Sequence, residues 1–366
     1  MVRAEEILQM RAEALCRRVC LWLTAAAYAV SVFSARSMAQ SAGGHGNTLP
    51  TLTTAHAAHS LTVPEAKRHY PVRLRMVTTY YDPYIDSRRP AFFLSDESGG
   101  IFVVLPSVPA VPFKAGDVVE IAGVSDGGDF APVVNATEAH VVGQSHLPLS
   151  PPRATLAGML NGEEDGQWVE VGGVVHGVRT VGENVFLDLA LSDGVITALT
   201  VKQAGVDYQS LVDARITLRG NAAPSFNHQG QMIGAHMVFP DLGCVRIEES
   251  GPARVFDLPI EQVGGLLRYT PNPALHHRVH IQGAVTLFWP GSRLCLQDGS
   301  RGICSETMQT TPLKIGDTVE VGGFPMIGDF SPTLTSAIYQ AGANGRPMQP
   351  LPVTAEQAFQ GEHDAG

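Results

Sequence analysis

The chain has little charge, little lysine and few cysteines, and it lacks every familiar catalytic motif. Only 16% of its 366 residues are Asp, Glu, Lys or Arg, and lysine occurs four times. With 38 glycines and 25 prolines beside 44% hydrophobic residues, the composition favours many short strands joined by turns over helical bundles. The length is too great for one ordinary domain and fits two or three. No P-loop, no G-x-S-x-G, no H-E-x-x-H and no C-x-x-C is present, which removes the common nucleotide, hydrolase, zinc and redox signatures.

A long hydrophobic run is also missing. The uncharged stretch at residues 19–33, "VCLWLTAAAYAVSVF", would span roughly 22 Å as a helix, short of the ~30 Å hydrocarbon core. Arg11, Arg17 and Arg18 precede it, and Ser37 and Ala39 place small residues at a cleavage site. This pattern predicts an export signal at residues 1–39 with Gln40 as the mature start; an uncleaved anchor is the alternative, and Met10 a possible true start. No lipoprotein pattern places Cys16 or Cys20 after the apolar run.

Past residue 39 the chain holds 20 basic and 32 acidic residues, a net charge of −12. A chain that acidic is expected to be repelled by nucleic-acid phosphates and anionic membranes. The partners expected instead are a small ligand or a periplasmic protein. Membrane attachment would come only through the N-terminal anchor or a segment downstream.

The motif "GDVVEIAGVSDGGDFAP" at residues 116–132 returns as "GDTVEVGGFPMIGDFSP" at residues 316–332. Alternating strands precede both: Val72, Leu74 and Met76 in one copy, Val279 and Ile281 in the other, with His280 on the expected solvent face. Hairpins follow, "FFLSDESGGIFV" and "LCLQDGSRGICS", with Asp96 and Asp298 at their turns. A weaker copy begins at "WVEVGGVVHGV", has Asp193 at its hairpin turn, and sets Asp213 where Asp117 and Asp317 stand.

Each copy carries a helical or irregular lead-in: "SLTVPEAKRHYP", "TLAGMLNGEEDGQ" and "LPIEQVGGLLRY". The expected fold is therefore all-β with short helical lead-ins, arranged as three tandem OB-like five-stranded barrels after the signal peptide. The boundaries are 51–147, 149–250 (degenerate) and 254–350. Residues 351–366 read as the lead-in to a fourth module, as if the chain were the first part of a longer protein.

Gly with Asp at the start of a strand is turn chemistry, and the repeated motif is read as a corner, with Phe130 and Phe330 plugging the next bend. Asp96, Asp193 and Asp298 fall in separate units and do not converge on one substrate, so no catalytic residue is assigned. His276, His277 and His280 in "LHHRVH" sit on extended backbone without a nearby Cys or carboxylate, so no metal is assigned and no cofactor is expected. Cys295 and Cys304 take the places of Phe93 and Phe102 across a hairpin; a disulfide and a pair of buried thiols are both open, with Cys244 left over.

The loop after the opening strand is where OB barrels commonly bind ligands. It offers Tyr80, Tyr81, Tyr84, Arg88 and Arg89 in the first unit, and Phe288, Trp289 and Arg293 in the third. Aromatics beside arginine would stack a planar or sugar-like ligand, or would seal one barrel against the next.

The signal peptide, "YPVRLRMVTTYYDP", "LSDESGGIFV" and the repeated motif together resemble the extracytoplasmic input region of bacterial membrane-bound sensor histidine kinases. That resemblance implies tandem OB-like modules in the periplasm, ahead of a membrane span and a kinase in a two-component system. No phosphoacceptor or ATP-binding region lies in this chain, so it is expected not to be an enzyme. A complete secreted protein that binds carbohydrate or cell-wall material is the alternative, and an OB-fold nucleic-acid binder a third.

Overall fold

Alternation opens the first sheet. In β1 (Pro71–Asp82) the side chains of Val72, Leu74 and Met76 are buried while Arg73 and Arg75 are exposed. β2 (Ala91–Asp96), β3 (Gly99–Val104), β4 (Asp117–Asp126) and β5 (Val133–Gln144) join it in a closed barrel, in the order β1-β2-β3-β5-β4. All neighbours are antiparallel except β3 and β5. Phe92, Leu94, Ile101, Val119 and Ile121 fill it, each worth about 1.5–3 kcal/mol of burial.

The computed structural model describes residues 49–82, 90–227, 229, 231–266, 277–299, 301–326, 331–342, 345 and 352–359. A second sheet holds β6 (Trp168–Val181), β7 (Asn184–Leu191), β8 (Gly194–Val201), β9 (Arg215–Phe226), β10 (Met232–Val238) and β11 (Val245–Glu249). Its order is β10-β8-β7-β6-β9-β11, and β10 pairs with β9 as well. The third sheet holds β12 (Ile260–Glu261), β13 (Val279–Trp289), β14 (Arg293–Asp298), β15 (Arg301–Thr307), β16 (Thr318–Met326) and β17 (Thr333–Ala341). Its order is β12-β13-β14-β15-β17-β16, with β13 also paired to β16. Among the described residues the protein is thus mostly β, with one closed five-stranded barrel and two six-stranded sheets.

Leaving β11 and β12 aside, the pairings of the later sheets follow the same cycle as the barrel. The parallel contact recurs between β8 and β10 and between β15 and β17. The opening strand carries a register shift at one place in each: Thr78/Tyr80, Val175/Gly177 and Val285/Leu287.

Short helices precede each opening strand, and all three are built alike. Leu52, Arg153 and Ile260 each pair in parallel with the strand that follows. The helices α1 (Ala55–His59), α3 (Leu156–Asn161) and α4 (Val263–Leu266) come next. The first amide of each is bonded by a carboxylate from the hairpin turn: Asp96 to Ala55 at 2.9 Å, Asp193 to Leu156 at 2.9 Å, Asp298 to Val263 at 3.0 Å. The recurring aspartates cap helices.

This corrects the lead-in of the first unit. The counterpart of the other two is the "TAHAAH" helix, not "SLTVPEAKRHYP". The latter forms an additional helix, α2 (Val63–Ala66), closed by a capping box between Thr62 and Glu65. It is fixed to β4 by the Ser125 hydroxyl, which donates to the Ala66 carbonyl at 2.8 Å. A fifth helix, α5 (Ala355–Phe359), lies near the C-terminus.

The repeated Gly-Asp motif is a corner. Gly116 and Gly316 have φ of 92° and 91°, a region that glycine enters without a steric cost. Asp117 and Asp317 then accept the amides of Lys114 and Lys314, both at 2.8 Å. The Gly116 amide donates to Thr78 and the Gly316 amide to Val285, tying the corner to the opening strand. Val119, Ile121, Val319 and Val321 point inward and are buried. Phe130 does not plug a barrel: it is 38% exposed and its ring lies 5.8 Å from that of Phe226. Phe330 lies outside the described residues.

Asp213 is displaced by one residue from its expected place. Its amide donates to Val175 as those of Gly116 and Gly316 donate to Thr78 and Val285, so it stands at the glycine position, with φ of 69°. Aspartate tolerates that left-handed conformation better than most residues. Its carboxylate is then free of the turn and serves elsewhere.

Candidate functional site

The predicted ligand residues do not converge. Tyr80 is buried in the seam between the first two sheets, clustered with Phe93, Ala223 and Val238. Burial drives its hydroxyl pKa strongly upward, with the nearby Asp82 charge adding to the shift. Tyr81 turns the other way and meets Phe92 and Phe113 edge-on in the barrel wall. Tyr84, Arg88 and Arg89 lie outside the described residues. In the third sheet Phe288 packs edge-on against Tyr339, whereas Trp289 is 55% exposed and pairs across the hairpin with Arg293.

Cys295 and Cys304 are in-register partners on β14 and β15 and are joined by a disulfide. Phe93 and Phe102 hold that position in the first sheet, with ring centroids 5.0 Å apart. In the second sheet it falls to Asp188 and Thr197. Cys244 is a free, buried thiol whose pKa burial raises to about 11, so it is held as a neutral thiol.

Two latches join the sheets. Gln167 exchanges two hydrogen bonds with the backbone of Gly100, at 2.8 and 3.1 Å, and Gly100 lies so close to Gly166 that a Cβ there would sit 2.3 Å from its carbonyl oxygen. The second latch uses Asp213. Its carboxylate accepts the Arg278 amide at 3.1 Å and faces His277 Nδ1 at 3.0 Å. His277 Nε2 lies 3.3 Å from Glu249. Burial raises the Asp213 pKa, opposed by these same bonds. Gln167 and His277 both stand two residues before the first buried valine of the strand, Val169 and Val279.

His280 is a correction. It is 3% exposed rather than solvent-facing, because the segment just before β12 folds over it, with the Phe256 ring edge-on at 5.6 Å. Its Nδ1 is 2.8 Å from the Leu258 carbonyl and its Nε2 3.3 Å from Glu320. His276 lies outside the described residues. Among the described residues no group of three or more His, Cys, Asp or Glu is placed to hold a metal, and no helix is long and apolar enough to cross a membrane.

Beside the Asp213 latch a cleft of about 780 Å³ opens between the second and third sheets. The turn holding Ser210 and Asp213, the linker at 251–257 and the side chains of Arg278, Ile338 and Gln340 line it. Arg278 is half-buried: its guanidinium carbon lies 5.0 Å above the Phe324 ring and Nη2 donates to the Ser336 carbonyl at 3.4 Å. Its Nε is buried and meets no acceptor among the described residues. Arg278 is not singled out by the sequence, where the histidines of "LHHRVH" draw the metal-ligand reading. The available signal was positional: the residue before the opening valine is Pro71, Trp168 and then a charged Arg278.

No family model matches the chain, and no curated protein does. Among solved structures, asparaginyl-tRNA synthetase from Pyrococcus horikoshii is similar at 19% identity and a TM-score of 0.20. That match covers 26% of this chain and 22% of the synthetase, so the chain spans under a quarter of that relative. The p204 HINb domain matches at 10% identity over 50% of this chain and 97% of its own, with a TM-score of 0.24. A murine DNA-binding protein bound with double-stranded DNA matches at 12% identity, over 50% and 97%, with a TM-score of 0.25. At these scores none of them assigns a function.

The expected exclusion of nucleic acid does not stand. That exclusion rested on a net charge summed over the chain, which does not describe each face. Lys67, Arg68, Arg73 and Arg75 are all exposed on or beside the first barrel of this acidic protein.

Proposed function

We propose that the chain is a non-catalytic, extracytoplasmic sensing and protein-contact region of a signal-transduction protein, similar to the input region of a sensor histidine kinase. In this reading the second and third sheets are OB-like barrels of the same kind as the first, giving three tandem modules. The observation that carries the reading is the threefold use of the hairpin aspartate. Asp96, Asp193 and Asp298, the acids at the hairpin turn of all three units, each turn a carboxylate oxygen to a helix amide. What the repeat preserves is therefore architecture and spacing, which suits a stalk or docking array.

The latches at Gln167 and Asp213 support the same reading, since they fix each module to the next through specific bonds. Alkaline phosphatase fused after Gly366 tests the location. The enzyme matures only outside the cytoplasm, so activity is expected with residues 1–39 present and lost without them. Equal inactivity of both fusions, with protein accumulating in the cytoplasm, would overturn the proposal.

A further inference from the structure

The cleft between the second and third sheets contains a cation that makes no ion pair within 4 Å among the described residues, Asp213 acting on it only at longer range. No carboxylate of the described residues lies within 4 Å of the Arg278 guanidinium; the bonds it makes there are one to the Ser336 carbonyl and a stacking contact with Phe324. Asp213, the nearest acid, directs its carboxylate to the Arg278 backbone amide and to His277. A half-buried charge whose buried Nε–H meets no acceptor among the described residues is costly to hold unless an anion approaches it. Burial pulls the Arg278 pKa down, partly offset by Asp213.

We propose that this cleft is a binding site for the carboxylate group of a small organic acid, anchored on the guanidinium of Arg278. The planar fork of arginine matches a carboxylate better than any other common group of the cleft. The volume suits a small molecule, and seams between domains are where such clefts usually lie. Val255, Phe256 and Ile338 supply apolar wall for the rest of the ligand. At the mouth, exposed Arg254 and Asp257 add no net charge, and Asp213 repels a second anion. The ligand is therefore a monocarboxylate with a neutral or cationic remainder, not a polyanion. Its role as a signal rests on the sensing reading above; the site itself does not.

Acetate is the smallest probe of the class. The Nε–H resonance of Arg278, assigned through its side-chain connectivity in arginine-labelled full-length protein, is expected to shift saturably with acetate, at a half-point on the order of 10 mM. Acetamide and chloride are expected to leave it in place. Arg278→Lys, which keeps the charge and loses the fork, is expected to weaken acetate binding about tenfold, read from the backbone amides of residues 251 and 253–257. No acetate shift, or an equal shift with acetamide, overturns the site; the contrast between probes needs no variant and so survives a folding defect. Cytoplasmic retention of the phosphatase fusion with a saturable acetate shift would remove the sensing role and keep the site.

Discussion

Asp96 accepts the amide of Ala55 at 2.9 Å across 41 residues of sequence, closing the lead-in helix onto the hairpin of the same module. Removing the acceptor leaves a helix amide unpaired, so Asp96→Ala is expected to cost about 1–2 kcal/mol. Asp298→Ala is expected to cost about the same at Val263. Urea midpoints would check both. Asn, which keeps an oxygen, is expected to lose less.

Asp213→Ala removes the acceptor that joins the second and third sheets and is expected to cost about 2–3 kcal/mol. Tryptic cleavage after Arg254, in the linker, should quicken with it. Asp213→Gly should quicken cleavage as much while costing less stability, since glycine suits φ of 69°. Slow cleavage in both variants would mean that the latch does not hold the sheets together.

A side chain at position 100 has nowhere to go. Gly100→Ala would set a Cβ 2.3 Å from the Gly166 carbonyl oxygen, forcing the first seam open at about 1–3 kcal/mol. Gly143→Ala, with no atom within 4 Å of the new Cβ, is expected to be neutral and serves as the control.

Acid should weaken the second sheet through His236. Burial holds its ring pKa down to about 4, against 6.5 in the unfolded chain, and Nδ1 lies 3.0 Å from the Ser225 hydroxyl. Between those values the unfolded chain binds a proton that the folded one refuses. Stability is then full above pH 6.5 and falls as the pH drops towards 4. His236→Gln should flatten that slope in urea unfolding followed across the window.

The strands and corners were legible because alternation and Gly-Asp turns are local. Val72, Leu74 and Met76 announce β1 without help from the rest of the chain. The caps were not legible: Asp96 reads as a turn residue, and its bond to Ala55 exists only once the barrel has closed. His280 misleads for the same reason, since strand alternation puts it outside until Phe256 and Leu258 fold over it. Tyr80 reads from sequence as either ligand or seam, and its place beside Val238 is a property of the neighbouring sheet. Arg278 and its cleft need two sheets and a linker together, which no window of sequence contains.

The central claim, that these modules are the input region of a signalling protein, is tested most directly by reading the gene on past codon 366. The account predicts a further module, about twenty apolar residues that cross the membrane, and then a kinase region. A stop codon directly after Gly366 would contradict it.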